Sequence, residues 1–130
     1  MAKIIQLFAA FAGAIHVLFY LMESIFWRNP AVHSVFQVTN QADADLMAVY
    51  VENQGYYNLF LAIGMFAGLL LLQRHPTVGK TLIGYISLFM VGAAAVLYFT
   101  IPAMITGVFV QGLLPAIVVL YLLAQSLMKR

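Results

Sequence analysis

No cysteine occurs in the 130 residues, which excludes disulfides, thiolate metal centres and cysteine nucleophiles and leaves the redox compartment open. Charge is nearly as scarce, at 8% of residues: four acidic side chains and six Lys or Arg. Soluble domains are about half apolar and about a quarter charged. A chain that is 65% hydrophobic, with a mean hydropathy of +1.00, is therefore not a water-soluble fold. The formal charge of +2 is too small and too dispersed for a nucleic-acid partner, and membrane topology accounts for it better. Low-complexity tracts, linkers and convincing repeats are also missing, so residues 1–130 read as a single domain.

What the chain does have is long apolar runs. Crossing the hydrocarbon takes roughly 20 mostly apolar residues in a helix, and four stretches qualify: Ile4–Trp27, Val49–Leu72, Thr81–Ile101 and Ala103–Met128. The expected fold class is all-α, an integral membrane four-helix transmembrane bundle. The first run is too long for a cleaved leader, and its small residues lie mid-run instead of after it, so it is read as a retained helix. Lys3, Arg74, Lys80, Lys129 and Arg130 share one side and Arg28 stands alone on the other, while Glu23, Asp43, Asp45 and Glu52 lie toward that second side. The positive-inside rule then puts both termini in the cytoplasm, with the chain multi-pass in a plasma membrane, a bacterial inner membrane on this reading. Asn29-Pro30 predicts a cap and first turn for a short interfacial helix over residues 30–37, and the second long helix should start near Asn40–Asp43, outside the membrane.

Depth organises the polar residues. At about 1.5 Å per residue, Glu23 lies about 28 Å from Ile4, Gln54 and Asn58 about 28 and 22 Å from Gln73, Tyr98 about 25 Å from Thr81, and Gln111 about 26 Å from Met128. Four helices thus place polar side chains at nearly one level, the outer leaflet, with His16 beneath them near the midplane. At about 100° per residue, His16, Tyr20, Glu23 and Trp27 share one stripe, and Tyr50, Gln54, Tyr57 and Asn58 another, flanked by Asn53. Polar groups are costly against lipid, so both stripes are expected to face the bundle interior. Small residues below, Ala9, Ala12 and Gly13 on the first helix and Gly64-x-x-x-Gly68 on the second, permit close helix approach. The expected shape is a funnel, open outside, floored by His16 and sealed below.

Glu23 is the sharpest signal, because a carboxylate in the apolar layer costs about 2.5–3.5 kcal/mol on insertion scales; the plainer alternative is hydration at the surface or pairing with Arg28. His16 is a candidate acid/base or proton relay, or a structural hydrogen bonder. Two helical turns, about 10 Å, separate it from Glu23, so a ligand, water or the Tyr20 hydroxyl would have to bridge them. Asn53-Gln54-Gly55-Tyr56-Tyr57-Asn58 is the densest polar cluster and suits ligand recognition as well as interhelical bonding. Gln111 alone reads more readily as helix glue. His33 and His75 lie in connections and are read as without function. One membrane histidine and one glutamate two turns apart are too few ligands for a metal site.

His16 with Glu23 and Trp27, then Asn53-Gln54-Gly55 followed by Tyr57-Asn58, and Gln111-Gly112 followed by Pro115 resemble the small membrane proteins of domain of unknown function (DUF) 1304. The resemblance runs over nearly the whole chain. Leu113 and Leu114 separate Gly112 from Pro115 where a shorter spacing is expected, and His33 stands where a more basic residue is expected. The resemblance implies four transmembrane helices and no established activity.

The leading functional reading is a pocket for a small lipophilic ligand. Glu23 and His16 are the candidate catalytic groups, and Tyr20, Trp27, Asn53, Gln54, Tyr57, Asn58, Tyr98 and Gln111 the candidate ligand contacts. Any conversion there would be isomerisation or hydration by proton transfer, which needs no cofactor. A structural or accessory membrane subunit and a small proton-coupled exporter are the alternatives; the one-sided charge bias speaks against the dual topology of small exporters. The partners expected are membrane lipids, such a ligand and, in assembly, a second copy as a homodimer.

Overall fold

A computed structural model describes residues 1–128, and the described residues fold as helices with short connections. Helix α1 (Lys3–Tyr20) runs into a π-helical turn, Leu21–Ile25. A short helix α2 (Pro30–Val35) precedes α3 (Gln41–Leu71) and α4 (Pro76–Thr100), and a 3-10 turn, Pro102–Met104, leads into α5 (Ile105–Leu127). Four spans are long and apolar enough to cross a membrane: Lys3–Ile25, Gln41–Leu71, Pro76–Thr100 and Pro102–Leu127. These are the makings of a multi-pass membrane protein. Lys129 and Arg130, counted above for orientation, lie outside the described residues.

The caps follow the sequence signals. Asn29 has extended backbone and its side chain accepts from the Ala31 N–H at 3.0 Å, with Pro30 at the first helical position. Asn40 does the same for α3, accepting from the Asp43 N–H at 2.9 Å. Helix α3 is therefore 31 residues long, about 46 Å, and overshoots a hydrocarbon core of about 30 Å. The connection from α2 to α3 closes with the Val38 N–H on the His33 carbonyl at 2.9 Å and the Gln37 N–H on Ser34 at 3.2 Å. Gln37 takes φ 62° there, the left-handed position a glycine usually fills at a helix C-terminus.

The helices form a ring in which α1 packs on α3, α3 on α4, α4 on α5 and α5 back on α1. The start of α1 and the last turns of α5 meet at one end of the bundle, where the Tyr121 hydroxyl accepts from the Ala2 N–H at 3.0 Å and from Gln125 at 2.7 Å. The apolar core sits in that same half and is built from Ile5, Ala9, Ala12, Met65, Ile83, Ile86, Met90 and Val118. Small residues set the spacings. A Cβ on Gly13 would meet Phe66 and Met65; on Gly64 and Gly68, Ile86 and Ile83. The Gly64/Gly68 pair thus seats α4 and not α1.

Toward the opposite end the packing thins. Met65, Leu61, Asn58 and Gln54 share one stripe of α3: Met65 and Asn58 are buried, Leu61 is half-buried and Gln54 is exposed, and the π turn at this end packs chiefly on α3 and not on α4 or α5. The bundle is tapered, closed at the end with the termini and open at the other.

Two glycines test this packing. A Cβ at Gly79 would lie 2.7 Å from both the Gly68 carbonyl oxygen and the Leu72 backbone nitrogen, whereas one at Gly92 meets nothing within 4 Å. Gly79→Ala should cost about 1–3 kcal/mol because backbone cannot yield. Gly92→Ala should be neutral or stabilise by up to about 1 kcal/mol through helix propensity. Thermal melting of the two variants beside wild type in detergent checks this, and equal melting points would contradict the packing.

Candidate functional site

The π turn shapes the site. Its extra residue per turn appears as the Phe26 N–H bonding the Leu21 carbonyl at 2.8 Å, five residues back. The widened turn presents Glu23 and Ser24 together to α3. The Asn58 amide donates to Glu23 Oε2 at 2.7 Å, and the Ser24 hydroxyl donates to the Glu52 carbonyl at 2.9 Å. Glu23 and Asn58 are each 6% exposed. Gly55 lies between them, and a Cβ there would collide with Ser24 Oγ and stand 3.0 Å from Glu23 Cβ. A bond between a carboxylate and an amide at this distance is charge-assisted and short. Asn58, and not Arg28, is the partner of the carboxylate.

The expectation that Trp27 continues the stripe of α1 is corrected. The helix ends at Ile25, Phe26 turns to φ −105° and ψ 9°, and Trp27 folds back to be buried. Its indole N–H donates to the Ala44 carbonyl at 3.0 Å. The His33 ring lies 4.9 Å from the indole and the Phe36 ring 5.6 Å. His33 Nε2 donates to the Trp27 carbonyl, 2.6 Å away. His33, set aside above as a connection residue, is thus a buried structural partner that ties α2 to the exit of α1. The dense aromatic spacing of Trp27, His33 and Phe36 was the only signal for this clasp.

Other predicted site residues scatter. His16 is buried, and its Nδ1 donates to the Ala12 carbonyl at 2.9 Å, with Phe19 edge-on at 5.6 Å. The bond goes back into its own helix, away from Glu23. Tyr20 packs on Tyr56 at 5.4 Å. Asn53, Gln54 and Tyr57 are exposed, as are Tyr50 and Tyr98, and Gln111 is half-buried. The polar stripe of α3 is therefore not enclosed, contrary to expectation. The buried line of α3 on this side runs through Ala44, Gly55, Asn58, Ala62 and Met65, about 80° round the helix from the stripe centre that the spacing gave. Only Asn58 belongs to both.

Beside Glu23 the surface is concave. One lobe of about 450 Å³ is lined by Glu23, Ser24, Trp27, Arg28, Ala48 and Glu52 among others. A second, of about 420 Å³, is lined by Trp27, Arg28, His33, Gln41, Asp45 and Ala48. Trp27, Arg28 and Ala48 belong to both, so the two lobes form one open groove along α3. Ser87 Oγ is the one sealed side-chain polar atom without a partner among the described residues. Glu23 Oε1, which has no donor within reach there, is consequently open to the groove. No cluster of three His, Asp or Glu side chains suited to a metal ion occurs among the described residues. The chemistry on offer is a carboxylate with one oxygen fixed and the other free to accept.

Because Gly55 makes the close approach, Gly55→Ala should destabilise the protein by about 1–3 kcal/mol. Adding Ser24→Ala removes the colliding hydroxyl and should recover part of that loss. A double variant no more stable than Gly55→Ala would show that the strain is not at Ser24; melting curves decide.

No curated protein and no solved structure matches the chain. A family model does, over a stretch that holds every residue of the site just described: spanning residues 10–123, the match shows that this chain belongs to the family described as protein of unknown function (DUF1304).

Proposed function

We propose that this protein binds a small lipophilic molecule at the groove beside the Glu23–Asn58 pair, in the outer leaflet of a plasma membrane with both termini cytoplasmic. The observation that carries the reading is Glu23 itself. A carboxylate that is 6% exposed and holds one amide bond through Oε2 keeps a second oxygen without a protein donor. Burying such a group without full pairing is costly, and a ligand donor would complete it. Binding is favoured over conversion, because His16 is engaged with the Ala12 carbonyl and does not share the groove with Glu23. The open end of the bundle supplies a route from lipid or from the outer surface.

A structural role is the second reading, and the Gly55 contact favours it: the Glu23–Asn58 bond also fastens α1 to α3. The two readings differ in what Glu23→Gln does. At a binding site, removing a desolvated charge while keeping the shape preserves or raises stability. As a fastener, Glu23 would lose a charge-assisted bond worth about 1.5–3 kcal/mol. Melting wild type, Glu23→Gln and Asn58→Leu side by side is expected to leave Glu23→Gln at or above wild type. A clear drop in both variants would replace binding by structure.

The orientation is tested separately. Reporter fusions after Arg74 and at the C-terminus should both read cytoplasmic, given the five-to-one split of Lys and Arg. An external signal at either would overturn the placement of Glu23 in the outer leaflet.

A further inference from the structure

The groove has a charge pattern that narrows its occupant. Gln41, Asp45, Ala48 and Glu52 recur at intervals of four, three and four residues, one stripe of α3 about 16 Å long, and all four line the groove. Glu23 closes its inner end. Three carboxylates therefore border the groove against a single guanidinium, Arg28.

One nearly buried side chain on the groove keeps an unpartnered polar atom: Glu23 is 6% exposed, bonded only through Oε2, and its Oε1 is not among the sealed atoms. His33, 5% exposed, lines the second lobe with its Nε2 on the Trp27 carbonyl. Carboxylates thus outnumber cationic side chains three to one along the groove, and Trp27 lines both lobes. An excess of carboxylates with one free acceptor oxygen is the pattern that receives an organic cation carrying N–H donors.

From this charge and acceptor pattern we infer that the groove takes an organic cation, a protonated amine, with its head between Glu23 and Glu52 and beside Trp27. The inference rests on the ligand-binding reading above and adds the chemistry of the head group. The apolar tail of the ligand leaves past Ile25, which lines the groove and is 52% exposed. Asp45 extends the acidic wall for a longer polar head, and Arg28 at the shared edge disfavours a second cation.

The chain has one tryptophan, and it lines the groove, so its fluorescence reports binding directly. The protein in dodecyl maltoside micelles is titrated with dodecylammonium, with laurate, with dodecanol and with ethylammonium. A saturable change in Trp27 emission is expected with dodecylammonium and not with the other three. Glu52→Gln, on an exposed position, and Glu23→Gln should each weaken it about tenfold or more, the loss of one charge-assisted contact. Micelle partitioning is common to all variants and cancels in that comparison. If laurate or dodecanol binds as well as the cation, the ammonium inference falls while a lipophilic site stands. If ethylammonium alone binds as well, the ammonium inference stands and the lipophilic reading falls. No saturable response to the cationic amphiphile in wild type overturns the inference.

Discussion

The approach of the π turn to α3 at Gly55 governs everything at the open end of this bundle. Only a residue without a Cβ lets Ser24 reach the Glu52 carbonyl and Glu23 reach Asn58 from the same turn. A regular α-helix would have presented these neighbours about 100° apart with one of them turned away. The π turn trades regular hydrogen bonding for a wider ring, which is why such turns recur where side chains must be aimed. The exit of α1, the clasp around Trp27 and the groove all inherit their positions from this contact.

The stabilising forces are divided between the ends. At the end with the termini, burial of Met65, Ile83, Met90 and Val118 and close backbone spacing at Gly68 and Gly79 give dispersion contacts in a dense core. At the other end hydrogen bonds take over, each worth modest free energy within a membrane. A polar seam of this kind holds geometry with less total stability than a packed one. It leaves room for side chains such as Gln54 and Tyr57 to stay uncovered.

Most of the architecture was legible in the sequence. Four apolar runs and the caps at Asn29 and Asn40 located the helices, and counting 1.5 Å per residue put Glu23 and Asn58 at comparable depth. The angular argument succeeded for those two and failed for Tyr50, Gln54 and Tyr57. A helical wheel gives a direction, and it does not say whether a neighbour occupies that direction. The π turn was invisible because a constant 100° step has no place for an inserted residue, and so Trp27 was assigned to the wrong stripe. His33 was dismissed for lying in a connection, although its ring is buried against Trp27. The acidic stripe Asp45–Glu52 was visible as charges but not as a wall, since nothing in the spacing showed that the chain after Ile25 folds back to face it.

The taper of the bundle has a mechanical consequence. A body tightly packed at one end and splayed at the other occupies unequal areas in the two leaflets. Lipid lateral pressure then does work on it whenever the splayed end widens or narrows, and that work scales with the change in area. Headgroup crowding and bilayer curvature thereby act on the same opening that exposes Gln54 and leads toward Glu23, with no residue of the protein having to change its charge or its partner.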